Sequence, residues 1–194
     1  EGSFDDLYSL TLERLDALQL YQAVSTKFPE ISFNIYSGER WYVERKDEWV
    51  KQEAAITKMD PESISMEDFL KEHLPVHKIL CMGNPDDIQK LEDELAEANL
   101  SNISYYRSKD TYMEIVNNQV SKLGALHFLC EKYGVELENT LAIGDNFNDM
   151  PMIIHAGKGI AMGNAPDEVK QAADCVTDTN DENGFYKALM KIFG

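Results

Sequence analysis

Paired cysteines are missing from this sequence: Cys81, Cys130 and Cys175 stand far apart, with no Cys-x-x-Cys among them. That spacing suggests neither a disulfide framework nor a zinc site, and the three read as small buried residues in a reducing cytosol. Positive charge is scarce as well, with 18 Lys and Arg against 35 Asp and Glu and a formal net charge of -17. Such a field repels phosphate backbones and anionic lipid, which argues against nucleic-acid and membrane partners. A small anionic substrate would need local compensation. The acids are spread along the chain, as in Asp86-Asp87, Glu92-Asp93-Glu94 and Asp178 to Glu182, and read as a solvated surface. No run approaches the roughly 18 apolar residues that a spanning helix needs. Glu1-Gly2-Ser3 also lacks the basic and apolar parts of a signal peptide, so a soluble, cytoplasmic protein is expected. The chain starts without Met, in sequence that already reads like a protein interior, and a shortened protein is expected on that ground. Internal repeats and low-complexity tracts are absent too.

What is present is a globular composition, 43% hydrophobic over 194 residues, enough to bury a core in one domain or two small ones. Leu15, Leu18, Tyr21 and Val24 recur near helical spacing until Pro29 stops them. Ile31 to Tyr36 alternates, Ser37-Gly38-Glu39-Arg40 supplies turn chemistry, and Trp41-Tyr42-Val43 resumes, which together predict a hairpin. Asp47 to Leu74 is polar and helix-prone, with Pro61 as a break. His77 to Met82 reads as a strand, and Asn84-Pro85-Asp86-Asp87 opens a helix with a cap, a first-turn proline and acids at the positive end. Two more strands are expected at Ile103 to Tyr106 and Tyr112 to Val116, around the turn Ser108-Lys109-Asp110.

After about Asn117 the pattern becomes alternating helix and strand. Val120, Leu123, Leu126, Leu129, Cys130 and Tyr133 mark an amphipathic helix ending at Gly134. Thr140-Leu-Ala-Ile-Gly is a continuous apolar strand of the kind buried in parallel sheets, and Gly159 to Met162 and Cys175-Val-Thr repeat it. Helices are expected at Met150 to His155, Pro166 to Ala173 and Gly184 to Phe193. The expected fold class is α/β, a partial doubly wound parallel-sheet core over residues 117–194 preceded by an α/β domain over 1–116.

Chemistry concentrates in Gly144-Asp145-Asn146-Phe147-Asn148-Asp149-Met150-Pro151-Met152, where a buried strand gives way to a helix. In open α/β sheets ligands bind at that edge. Asp145 and Asp149 lie four apart with Asn148 beside the second, so hard oxygen donors of the kind magnesium needs converge there. Gly144 lets the backbone approach closely. A blander account makes Asp145 and Asn148 helix caps, which explains one residue well but not the whole run.

Gly-Asp-x-x-Asn-Asp followed by Met152 resembles the fourth motif of haloacid dehalogenase-like phosphatases. Gly159-Ile-Ala-Met-Gly-Asn-Ala-Pro, Glu168-Val-Lys, Ala172-Ala-Asp and Asn180-Asp-Glu-Asn-Gly continue the likeness, in the manner of the Cof-type branch with its large inserted α/β cap. Val120-Ser-Lys122-Leu-Gly-Ala-Leu is similar to the third motif, though the family usually has glycine right after the lysine and this chain has Leu123, then Gly124. The resemblance implies that Asp145 binds Mg2+, with Asp149 a ligand or a carboxylate just behind the ligands. Gly144 and Asn148 would support the site, Asn148 by holding its hydrogen bonds. Lys122 would reach the transferring phosphoryl group, and Asn180 would approach the phosphate or the loop beside it. The cap would close over the site and choose the substrate.

The family's first motif, Asp-x-Asp-Gly-Thr, supplies the nucleophile, and no such string occurs here. The second motif, a phosphate-holding Ser or Thr ahead of the cap, has no counterpart either. Asp5-Asp6, followed by Leu-Tyr-Ser and preceded by no buried strand, fails as a substitute. The expectation is therefore a piece of a magnesium-dependent phosphohydrolase of small phosphorylated metabolites, such as a sugar phosphate or phosphorylated cofactor, working through an aspartyl-phosphate. By itself it should be inactive, and the bared edge of its core sheet should make it self-associate or leave its core half poorly stable. Two rivals stand beside this: a naturally shortened, non-catalytic binding or assembly module, and a phosphomutase or phosphotransferase on the same scaffold.

Three other patterns fail. Gly157-x-Gly159-x-x-x-Gly163 has the wrong spacing for a dinucleotide loop and flanks a strand. Asp178-x-Asn180-x-Glu182 lacks the glycine and closing Glu of a calcium loop at their proper places. His73 and His77 are separated by Pro75, which breaks the helix that would align them, so both are expected at the surface. Phe33, Tyr36, Trp41, Tyr42 and Trp49 could form a substrate-contacting face, but hairpin packing is the commoner use of such a cluster.

Overall fold

A computed structural model describes residues 7–72, 74–98 and 100–194. Glu1-Gly2-Ser3, Asp5-Asp6 and His73, weighed above, lie outside the described residues. The chain forms two compact units that divide between Gln119 and Val120.

The first unit begins with α1 (Arg14–Lys27), and the chain then enters strands β1 (Ser32–Ser37) and β2 (Arg40–Val43). Gly38 turns this hairpin at φ +57°, a left-handed conformation that glycine adopts without a Cβ clash. His77 latches the turn: its Nδ1 accepts the Gly38 N–H at 2.9 Å, and its Nε2 lies 2.8 Å from Ser9 Oγ. The free surface position expected for His77 is thus replaced by a half-buried tie between segments.

The unit continues through α2 (Glu48–Thr57), β3 (Glu62–Ser63), α3 (Met66–Lys71), β4 (Lys78–Met82), α4 (Pro85–Ala98), β5 (Ile103–Lys109) and β6 (Tyr112–Asn117). Asp47 caps α2 by accepting the Val50 N–H at 3.0 Å, and Asn84 caps α4 by accepting the Asp87 N–H at 3.0 Å. The strands form one sheet in the order β3-β2-β1-β4-β6-β5. All neighbours are antiparallel except β2 and β3. The pair β4-α4-β5 is a split crossover, with β6 inserted between its two strands.

Strand alternation sorts the side chains onto two faces. Phe33, Ile35, Ile79, Cys81, Met113 and Ile115 pack into one cluster with Leu20 and Val24 of α1, Phe69 of α3 and Leu91 of α4. Trp41, Val43, Leu80, Met82 and Tyr112 pack on the other face with Val50 of α2. Phe33, Trp41 and Tyr42 are buried core, so packing accounts for them. Asn34, fully buried in the second face, donates to the Ser32 and Leu80 carbonyls at 3.0 Å and accepts Trp41 Nε1–H at 3.0 Å.

The second unit runs α5 (Lys122–Tyr133), β7 (Leu141–Gly144), α6 (Met150–His155), β8 (Lys158–Ala161), α7 (Asp167–Ala172), β9 (Cys175–Val176) and α8 (Gly184–Phe193). Its parallel sheet has the order β7-β8-β9, with Ile153, Ala161, Ala165 and Val169 as a small core. This is the expected α/β class with a partial doubly wound parallel sheet. The amphipathic pattern of α5 forms a helix that packs against α6, but no residue of it is buried. Of the three cysteines, Cys81 is buried while Cys130 and Cys175 are half-buried, and all are free thiols. No helix among the described residues is long and apolar enough to cross a membrane.

Candidate active site

The three parallel strands end side by side at Gly144, Ala161 and Val176, and the Met162 N–H donates to the Gly144 carbonyl at 2.9 Å. The loops that follow carry Asp145 to Asp149, Asn164 and Asn180, so the polar residues gather at the carboxyl edge of the sheet.

Asp149 organises the first loop from beneath. Its residue is 2% exposed, and its Oδ2 accepts the backbone N–H of Asp145 at 2.9 Å and of Asn146 at 3.1 Å. Its Oδ1 pairs with Lys122 Nζ. Burial pushes the Asp149 carboxyl up, but the Lys122 ammonium and the two amides outweigh it and hold the group below the usual carboxylate range. Gly144 makes room for this: a Cβ there would stand 2.6 Å from Asp149 Cγ. Glycine is therefore needed at 144 to admit the Asp149 side chain, a more specific reason than general backbone approach.

Lys122 is the first residue of α5, behind the cap made by Ser121 Oγ, which accepts the Gly124 N–H at 2.9 Å. The Leu123-Gly124 departure leaves the lysine at the helix start. With its side chain half exposed, Lys122 is held to the loop by Asp149 rather than left as free solvated charge.

Neither Asp145 nor Asn148 caps α6, whose N-cap position is Asp149 itself. Asp145 is exposed, and its Oδ2 accepts Asn164 Nδ2–H at 3.1 Å. Asn164 Oδ1 in turn accepts the Asn180 N–H at 3.0 Å. Asn180 opens a short 3-10 turn, Asn180–Glu182, fixed by the reciprocal Thr179 and Glu182 contacts of a capping box. The hydrogen bonds expected of Asn148 are made by Asp149 and Asn164 instead, and Asn148 stays exposed. The structure thus brings Lys122, Gly144, Asp145, Asn148, Asp149 and Asn180 into one neighbourhood and adds Asn164, to which the sequence reading gave no role. The signal available was an Asn beside Gly163 just after a parallel strand.

Among the described residues no three His, Cys, Asp or Glu side chains gather as a metal cage. Magnesium requires only one or two protein carboxylates, with water and substrate oxygens filling its other positions. The outward carboxylate of Asp145 fits that demand. Both Asp149 oxygens are already engaged inside the protein.

Helices layered on a parallel sheet, with oxygen-bearing loops at its carboxyl edge, define the doubly wound proteins that bind ligands at that edge. The model of the haloacid dehalogenase-like hydrolase family matches residues 3–189. A Haemophilus influenzae protein provisionally named a phosphatase is 34% identical over 192 residues, 98% of this chain and 71% of the relative. The 5-amino-6-(5-phospho-D-ribitylamino)uracil phosphatase YcsE of Bacillus subtilis is 38% identical over 120 residues, 61% of this chain and 48% of the relative. A crystal structure of a haloacid dehalogenase-like hydrolase from Bacteroides thetaiotaomicron superposes with a TM-score of 0.88 at 36% identity, covering 98% of this chain and 71% of the other. The chain belongs to the haloacid dehalogenase-like hydrolases, in their Cof-type branch.

Proposed function

We propose that this chain carries the cation-binding and lysine side of a magnesium-dependent phosphohydrolase acting on small phosphorylated metabolites, such as a sugar phosphate or phosphorylated cofactor. The carrying observation is the Asp149 carboxylate, which ties Lys122 to the loop that presents Asp145. The phosphorylated ribitylaminouracil in the name of the Bacillus subtilis relative is a substrate of this chemical class. In this reading residues 117–194 are the C-terminal half of the catalytic core and residues 1–116 a cap that selects the substrate. The free thiols suit a reducing, cytoplasmic setting.

Bound magnesium would supply positive charge to offset the oxygens of the transferring phosphoryl group. Asp145 would hold it, with Asp149 behind. Lys122 donates to a phosphoryl oxygen, with the Asp149 carboxylate paired beside it. The exposed amides of Asn148 and Asn180 orient the phosphate ester. No Asp-x-Asp-Gly-Thr string among these residues supplies the attacking carboxylate that would form and then lose an aspartyl-phosphate. The isolated chain is accordingly inactive, and its sheet edge favours self-association.

The test is a phosphate-release assay on the full-length gene product with and without magnesium. Asp145→Ala and Lys122→Ala should each lower kcat by about 100-fold or more. Undiminished turnover in Asp145→Ala would remove that residue from the mechanism, and transfer to a sugar hydroxyl instead of water would favour a phosphotransferase.

A further inference from the structure

Asn164 touches both of the loops that flank its own. Its amide nitrogen donates to Asp145 Oδ2 at 3.1 Å, and its amide oxygen accepts the Asn180 N–H at 3.0 Å. An asparagine amide has a donor and an acceptor end, and here each end serves a different loop. Asp145 is exposed, and the hydrogen bond from Asn164 to one of its oxygens orients its carboxylate. The Asn180 N–H is fixed by the capping-box turn, which makes the Asn180 end of the bridge the rigid one.

We infer that Asn164 is a positioning residue: it holds Asp145 Oδ2 against the Asn180 turn and so leaves Asp145 Oδ1 as the oxygen offered to a divalent cation. The inference rests on Asp145 being a cation ligand. Its physical content is pre-organisation: a carboxylate already turned and held loses less freedom when the cation arrives. A carboxylate held at one oxygen also binds through the other, which suits the tight octahedral geometry of magnesium. Asn164 is itself exposed, so shortening its side chain removes the bridge without opening a cavity.

The experiment is Mn2+ titration calorimetry on the full-length gene product, comparing Asn164→Ala, Asn164→Gln and Asp145→Ala, with melting temperatures recorded in the absence of metal. Asn164→Ala should weaken Mn2+ binding by about tenfold, the loss typical when a partner of a metal ligand is removed. Its metal-free melting temperature should stay near that of the wild type, and Asn164→Gln, which keeps both amide ends, should recover part of the affinity. Asn164→Ala binding Mn2+ as tightly as the wild type, while Asp145→Ala loses it, would overturn the positioning role and leave the cation site standing. Asp145→Ala binding Mn2+ normally would instead overturn the reading of the site. If Asn164→Ala melts early, its titration is run below its melting range, where wild-type affinity overturns the role and a loss of about tenfold supports it.

Discussion

Asp149 is a buried acid whose two oxygens face opposite duties, one gathering backbone amides and the other restraining an ammonium. Because its folded pKa lies below the ordinary value near 3.9, its contribution is present above that pH and is lost as pH falls through the folded value. Asp149→Asn should therefore be less stable than the wild type by about 1–3 kcal/mol near neutrality. The gap should hold from about pH 7 down to the ordinary carboxylate value and narrow only below it, as read by urea unfolding across that range. In the first unit, Trp41→Phe would strand the buried Asn34 Oδ1 without a donor, a loss of about 1–3 kcal/mol measurable in the same way. Asp145 and Asp149 were legible as candidates because the strand-to-helix context and their spacing pointed at them together, whereas Lys122 was legible only through the resemblance to the family's third motif. Asn164 was not, since its role depends on contacts 19 residues back and 16 forward in the chain, which no local pattern encodes.

At the scale of elements, the hairpin of β1 and β2, the strand before Asn84 and the run of helices and strands after Asn117 follow from periodicity and turn chemistry. The two-residue β3 was invisible, being too short to show any period, and the insertion of β6 between β4 and β5 needs tertiary pairing to be seen. The junction of β7 and α6 is where one residue governs an element. Gly144→Ala should drive Asp149 from its seat, lowering stability by about 1–3 kcal/mol through overpacking. It should also free Lys122, so that a rise in its reactivity toward an amine-modifying reagent, read by peptide mass spectrometry, accompanies the fall in the urea midpoint.

For the molecule as a whole, the second unit leaves Leu129 and Tyr133 of α5 and Phe185, Tyr186, Met190 and Phe193 of α8 exposed. Among the described residues, β7 pairs only with β8. Apolar faces and an open strand edge favour association, while a net charge of -17 opposes it. The isolated chain should thus be driven together by salt: light scattering should show mass rising with concentration, and more steeply at about 0.5 M than at about 0.05 M salt, where charge is less screened. A constant monomer mass under both conditions would count against this. The first unit carries a different consequence, in time rather than in space. Its last strand, β6, is also the one that seats between β4 and β5, so the sheet stays open until residue 117 has been made. A nascent chain halted on the ribosome before β6 emerges would hold the four strands β3-β2-β1-β4 and a lone β5 without its strand neighbour, and protease resistance of this unit would arrive in a single late step.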